Sequence, residues 1–515
     1  MNNLALIGGN IITMDEHRPF CEAVLIEDGK IAAAGCSEDI RRLAAERHIT
    51  CIDLKGKTAV PGLHDCHVHV MGTGLNAIGI DLYDCASIAD VLDKIQEASR
   101  DGAAGWVYCT RLDESRLAEK RPPTAAEIDA VVPDRGVYIV DRGLHYTLVN
   151  TLAFNEIGFD GTEHGLVKDP SGRVTGRLHD KANGRARSYF YEKMTDAQRT
   201  DMLNYTASEA VKKGITTIHA MEGGDMFSDK DIPVFLENQS RFPLDIRIYW
   251  DTENIQNILD HHLPAVGTDL LLDGSIGSRT AAFTQPYTDA PDTCGEIYFT
   301  EDFVVNHITK AHQNKLQTGF HAIGQRAVTF VLDCLEKSLA LCPRTDHRFR
   351  IEHFGFPDTR DIERAARLGV VISTQPSFTY LRGGPGSVYN LRLGDERERR
   401  GYPLSTFVAA EHSRRGRIDS SGTPMVTPMD PVLGLHAAVN QSYPENSVDI
   451  QSALRMFTLD AAYCAFEENQ KGSITPGKLG DLTVLSGNPY AIASDKLKEL
   501  EVCMTIKNGK IVYQK

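Results

Sequence analysis

Eight short apolar runs, each bounded by turn residues, limit what this 515-residue chain can fold into. They occupy residues 61–70, 215–220, 246–250, 269–273, 318–323, 349–353, 370–375 and 417–421. Most are separated by stretches such as "QRAVTFVLDCLEKSL" and "TRDIERAARLG", whose apolar positions recur at helical spacing. Parallel strands need a crossover between them, usually a helix, so strands alternating with helices build a parallel sheet. Eight such repeats predict an α/β chain with a (β/α)8 TIM-like barrel over residues 61–471.

Two regions break the alternation. Between the first and second runs lies a large insertion, residues 75–199, with mixed elements of its own in "GWVYCTRLD" and "GVYIVDRGLHYTLVN". The two ends of the chain share a different texture. "LALIGGNIITMD", "EAVLIEDGKIAAAG" and "TCIDLKGKTAVPG" near the start show alternating apolar positions with Asp-Gly or Lys-Gly turns, and "GDLTVLSGNP" and "VCMTIKNGKIVYQK" near the end repeat that texture. These predict one small β-sandwich domain, residues 1–60 plus 472–515, built from both termini. The "GGPG" stretch at 383–386 is expected to be a mobile loop.

Charge narrows the partners. With 55 basic against 70 acidic residues the net charge is −15, leaving no basic surplus to neutralise phosphates. The basic cluster "RLGDERERR" carries its own acids and reads as a solvated loop. The N-terminal stretch reads as a strand, not as a signal peptide, and no run of about 18 apolar residues spans a membrane. The expected partner is a small-molecule substrate, with no nucleic acid and no membrane; self-association into a homo-oligomer stays open. Eleven cysteines without CxxC spacing read as free thiols, which suits a cytoplasmic location.

The histidines carry the chemistry. In "PGLHDCHVHV" side-chain alternation puts Asp65, His67 and His69 on one strand face and His64, Cys66 and Val68 on the other. His321 closes the fifth run ("TGFHAIG") and His353 the sixth ("RIEHFG"). Active sites of this barrel lie at the carboxyl ends of its strands, so four histidines from three strand ends converge on one mouth. His219 ends the second run and is placed as a lining residue of the substrate pocket. His17, His48, His164, His261, His262, His307, His312, His347 and His412 sit in polar contexts and are expected at the surface.

Taken with "RPPTAAEIDAVVPDR", "GITTIHA", "DGSIGSRTAAFTQPY", "HAIGQRA", "STQPS", "MDPVLGLHAAV" and "GSITPGKLGDLTVL", these blocks resemble the amidohydrolase superfamily in its family 3 branch, over nearly the whole chain. The resemblance implies a divalent metal, zinc, held by His67, His69, His321 and His353. Such a metal acidifies water and polarises a carbonyl. It also makes Arg279, in the "SRTA" block, a candidate for binding an acidic substrate group.

The sequence departs from the family at its acids. Gly422 stands in "SSGTPM" where the family has a metal-binding aspartate, and Asp269 stands where it has a lysine able to form a bridging carbamate. Asp269 is expected to be too short for that task. Gln325 and Ala220 replace two further family acids, while Asp180 in "GRLHD" keeps the charge of a family glutamate. Without the carbamate, one ion is expected. A different base must then serve water, with Asp180, Asp65 and His145 as candidate catalytic residues. The leading expectation is a metal-dependent hydrolase of a C–N bond in an amide or cyclic amide. Non-hydrolytic decarboxylation or isomerisation on the same scaffold, and a catalytically silent binding protein, are the alternatives.

Overall fold

The computed structural model describes residues 2–515 except 101–104, 142–145, 225, 413–416 and 421–426. Two compact units emerge: Met1–His69, Ala207–Met221 and Arg241–Lys515 form one, Val70–Thr206 and Glu222–Ser240 the other.

The first unit contains the barrel. Its strands are Leu63–Val68, Ile215–Glu222, Asp245–Trp250, Ala265–Val266, Gln317–Ala322, Arg350–His353, Val371–Thr374 and Arg417–Ser420. They make one eight-stranded sheet in chain order. Parallel registers such as Phe320 beside Ile351 and Ile372 beside Ile418 hold neighbours together, and the last strand lies near the first, so the barrel is nearly closed. Helices such as Gln325–Leu341 and Thr359–Leu368 return the chain between strands. Their apolar faces bury Val328, Val331, Leu335 and Ile362 in one core with Phe320 and Ile351 of the strands and Phe349 just before the sixth.

The fourth strand differs from the expectation. Ala265–Val266 pairs with Gln317 and Thr318, after which Gly267 takes φ +34° and ends the ladder. The run 269–273 is therefore not the strand. It touches the fifth strand through an isolated bridge between Leu271 and His321. The early break leaves Asp269 at the carboxyl end of the barrel.

Two further sheets in this unit combine the chain ends. One has four strands, all from residues 4–53; the other has six and joins Leu482–Leu485 to Thr58–Pro61 in an antiparallel pair. Ile474 N–H donates to Thr13 O at 2.7 Å and Ile31 N–H to Lys478 O at 2.8 Å, so the termini close each other's edges.

Three histidines assigned to the surface are buried instead: His307 and His312 at 4% exposure and His347 at 2%. His307 and His312 lie on the apolar face of the helix Glu301–Gln313 with Val304, Ile308 and Ala311. His307 stacks on Phe303, and His312 on His347 with ring centroids 5.4 Å apart. The 383–386 stretch, expected to be mobile, is pinned by buried Glu398. That carboxylate accepts from Gly384 N–H and Ser387 Oγ, and from Tyr443 OH at 2.7 Å.

The second unit has a six-stranded sheet that includes Val107–Leu112, Val137–Asp141 and Thr147–Val149. Its core is Val91, Ile95, Ile128, Ile139 and Leu148. The capping box of Thr124 with Glu127 starts the helix Ala125–Val131 and contributes about 1 kcal/mol. The unit extends beyond 75–199 because Asp231, on the helix Asp231–Asn238, forms a fully buried ion pair with Arg199 at 2.7 Å.

Candidate metal centre

Three imidazoles converge because two strand ends do. His67 lies on the first barrel strand, His69 just past it, and His353 ends the sixth; all three are buried. Each has Nδ1 tied to an acceptor. His67 Nδ1 is 2.9 Å from Glu352 Oε2, His69 Nδ1 is 3.2 Å from Met221 O, and His353 Nδ1 is 2.6 Å from Gln375 Oε1. A carboxylate and a carbonyl oxygen can only accept, so each Nδ1 carries a proton and each Nε2 is the atom left to face the donor set, where a metal would displace any proton it holds. That is how metal-ligating histidines are set up.

The three Nε2 atoms face Asp269. Its Oδ2 lies 3.5 Å from His67 Nε2 and 3.7 Å from His69 Nε2, and its Oδ1 lies 3.8 Å from His353 Nε2. The sequence assigned Asp269 no role once it was too short to replace a carbamate, yet the break at Gly267 places its carboxylate beside the three rings. Donor atoms of His67, His69 and Asp269 fall within 4.8 Å of one another, close enough to share a cation. His67 Nε2 and Asp269 Oδ1 are buried and have no hydrogen-bond partner among the described residues. Buried polar atoms without partners are costly, and a divalent ion would satisfy both. The residues therefore fit a metal.

His321 is buried beside this group, its ring centroid 4.6 Å from that of His353. Its Nδ1 lies 3.2 Å from Asp273 Oδ1, without an aligned hydrogen bond among the described residues. Asp273 is otherwise occupied, accepting from Ala282 N–H, Ile323 N–H and Gly324 N–H at 2.8–3.0 Å. It clamps the loop of "DGSIGSRTAAF" to that of "HAIG". Gly324 is required there, because a Cβ would collide with Ala282 O.

The electrostatics match a site built around a cation. Burial opposes charge on His67, but Asp269 and then Glu352 overcome it and push its pKa up to about 10. Burial would likewise keep Asp269 protonated, yet His67 holds it well below the usual carboxylate range. Asp251 follows the third strand and accepts from Asp269 N–H at 2.9 Å. Burial first, and the Asp269 charge second, raise it far above that range. His353 takes φ +72° and Phe354 φ +46°. Left-handed backbone at two successive non-glycine residues costs on the order of 1–3 kcal/mol each, a pattern that gathers at functional sites.

The remaining sequence candidates have other positions. Asp65 is buried, with Oδ1 accepting His67 N–H at 3.3 Å. His219 is fully buried, with Nδ1 3.1 Å from Arg350 Nη1. Burial and then that guanidinium lower its pKa far below the usual value. Arg279 makes a two-pronged bond to Asp289, at 3.1 and 2.8 Å, and Gln325 bridges Thr284 and Asp358. Asp180 opens the helix Asp180–Lys193 in the second unit, and its side chain is outside the described positions. His145 and Gly422 lie outside the described residues.

Sequence reasoning missed Glu352, Arg350 and Gln375. A signal existed for the first two. An arginine and a glutamate in "RIEH", on a barrel strand whose surroundings are buried, must pair with something.

The profile of the amidohydrolase family matches residues 50–513. The chain belongs to that family. Among the relatives of this amidohydrolase is the putative amidohydrolase YtcJ of Bacillus subtilis, 28% identical over 540 residues and covering 99% of each chain. The N-substituted formamide deformylase of Arthrobacter pascens is 24% identical over 568 residues, covering 100% of this chain and 99% of that one. The crystal structure of an uncharacterized metal-dependent hydrolase from Pyrococcus furiosus superposes with a TM-score of 0.81 at 25% identity, covering 95% of this amidohydrolase and 99% of its own chain. Family membership makes the chain a hydrolase. No helix among its described residues is long and apolar enough to cross a membrane.

Proposed function

We propose that this amidohydrolase cleaves a C–N bond in an amide or cyclic amide with the help of one divalent ion, zinc. The single observation that carries the reading is the meeting of three Nε2 atoms around the Asp269 carboxylate. His67, His69, His353 and Asp269 would hold the ion, with His321 alongside. A metal in this donor set supplies Lewis acidity for the scissile carbonyl and for water. The chain's own contribution is orientation: Glu352, Met221 O and Gln375 fix the three rings. A carboxylate in place of a lysine carbamate favours a single ion over a bridged pair.

The name of the Arthrobacter pascens relative makes N-substituted formamides the first substrates to try, followed by other N-acyl compounds and cyclic amides. The test is elemental analysis of the purified protein, then turnover in isotopically labelled water. About one metal ion per chain and one solvent oxygen in the product are expected. Turnover without solvent oxygen would replace the reading with decarboxylation or isomerisation. A metal-free, inactive protein would replace it with a binding role.

A further inference from the structure

Below the donor set, the barrel interior carries an arginine and a glutamate, both at 0% exposure. Arg350 Nε donates to Glu352 Oε1 at 2.6 Å and Arg350 Nη2 to Glu352 Oε2 at 3.1 Å, a two-pronged pair. The same guanidinium reaches three other strands. Nη2 donates to Cys66 O at 2.8 Å on the first strand and to Ser373 Oγ at 3.1 Å on the seventh, and Nη1 meets His219 Nδ1 at 3.1 Å on the second. Arg350 also lies over the Tyr249 ring, 4.9 Å from its centroid. An arginine is donor-only, so His219 must present a bare Nδ1 to it.

A buried ion pair of this kind is not explained by stability, since well-packed apolar residues often do as well. What it does here is present a fixed acceptor to His67. We propose that Arg350 and Glu352 form a positioning unit for the metal centre: Glu352 holds His67 with Nδ1 as the donor and Nε2 turned to the donor set, and Arg350 anchors Glu352 from four strands. The inference rests on the metal-centre reading and names what sets the affinity of that centre.

The fork geometry matters. Glu352 has one oxygen shared between Arg350 and His67 and the other given wholly to Arg350. An amide has a single acceptor oxygen and no charge: seated at the shared position it sets its NH2 against Arg350 Nε, and seated at the other it turns its NH2 to His67 Nδ1. His67 would then lose its fixed orientation while keeping its place on the strand. Partners of this type are worth about 10- to 100-fold in metal affinity.

The experiment uses the full chain stripped of metal and titrated with zinc against a chromophoric chelator, and in parallel with cobalt. Glu352→Gln should weaken zinc binding by about 10- to 100-fold and shift the cobalt ligand-field bands. Asp231→Asn serves as a control: it breaks a buried ion pair elsewhere and should lower the melting temperature without moving zinc affinity. Equal zinc affinity in Glu352→Gln and wild type overturns the proposal while leaving the metal centre standing. Wild type that binds no zinc overturns the metal centre itself. If Glu352→Gln does not fold, nitrogen-15 NMR of ring-labelled histidines in the zinc-loaded wild type decides. The resonance absent from His67→Ala should show a protonated Nδ1 and a coordinated Nε2; the reverse pattern rejects the assignment.

Discussion

Asp269 Oδ2 stands 3.5 Å from His67 Nε2, with both side chains almost fully buried. The carboxylate is the one acidic group that the His67, His69 and His353 Nε2 atoms face among the described residues, and in the proposed centre it is a metal ligand. Asp269→Asn keeps the size and removes the charge. Metal content measured by elemental analysis should fall from about one ion per chain to a small fraction. Full retention would show that the carboxylate is no ligand.

The histidines should act as one unit. His67→Ala and His353→Ala should each remove most of the bound metal, because each takes away an Nε2 that faces Asp269. His64→Ala should not. The His64 ring lies beside His219, 6.3 Å between centroids, and burial together with Lys471 and Lys507 lowers its pKa to about 3. Equal metal loss in all three variants would contradict this division.

Removing residues 472–515 should destabilise the N-terminal strands as well. Leu482–Leu485 is hydrogen-bonded to Thr58–Pro61, and its loss exposes an edge that the termini otherwise share. Limited proteolysis reads the outcome: faster cleavage within residues 1–60 is expected, and unchanged resistance would argue that the N-terminal strands stand alone.

Asp231→Asn should cost about 3–5 kcal/mol, since it leaves the Arg199 guanidinium buried without its counter-charge. Arg199 keeps carbonyl acceptors at Tyr191 and Met194, but neither supplies a charge. Chemical denaturation measures the loss. A change below about 1 kcal/mol would mean that this pair contributes no more than an exposed one.

Water still needs a base. Asp180 is the first candidate because it retains the charge of a family acid, with Asp65 and His145 behind it. General-base catalysis is worth about 10²–10⁴ in rate. Asp180→Asn should therefore lower kcat by that factor while metal content stays intact. An unchanged kcat moves the assignment to Asp65 or His145, for which the same pair of measurements applies.

Much of this molecule was legible in the chain because its information is local. Strand and helix periodicity repeats through the sequence, and a barrel brings its strand ends together whatever lies between them, so the places of His67, His69, His321 and His353 in the apolar runs made their strand ends the region in which to look for a site. The burial of His307 was also readable, since it falls beside Val304 and Ile308 on one helix face; polar neighbours in sequence masked it.

Tertiary structure decided the rest. By spacing alone Asp269 begins a strand; the break at Gly267 instead places its carboxylate beside the three imidazoles. Glu352 precedes His353, and strand alternation points the two apart, yet Glu352 grips His67 from below while left-handed backbone at His353 turns that ring toward Asp269. The amino-acid order fixes which groups are available and on which strand they ride. Which acceptor meets which imidazole depends on backbone breaks of a few residues and on contacts between strands hundreds of positions apart, and no local pattern encodes those distances.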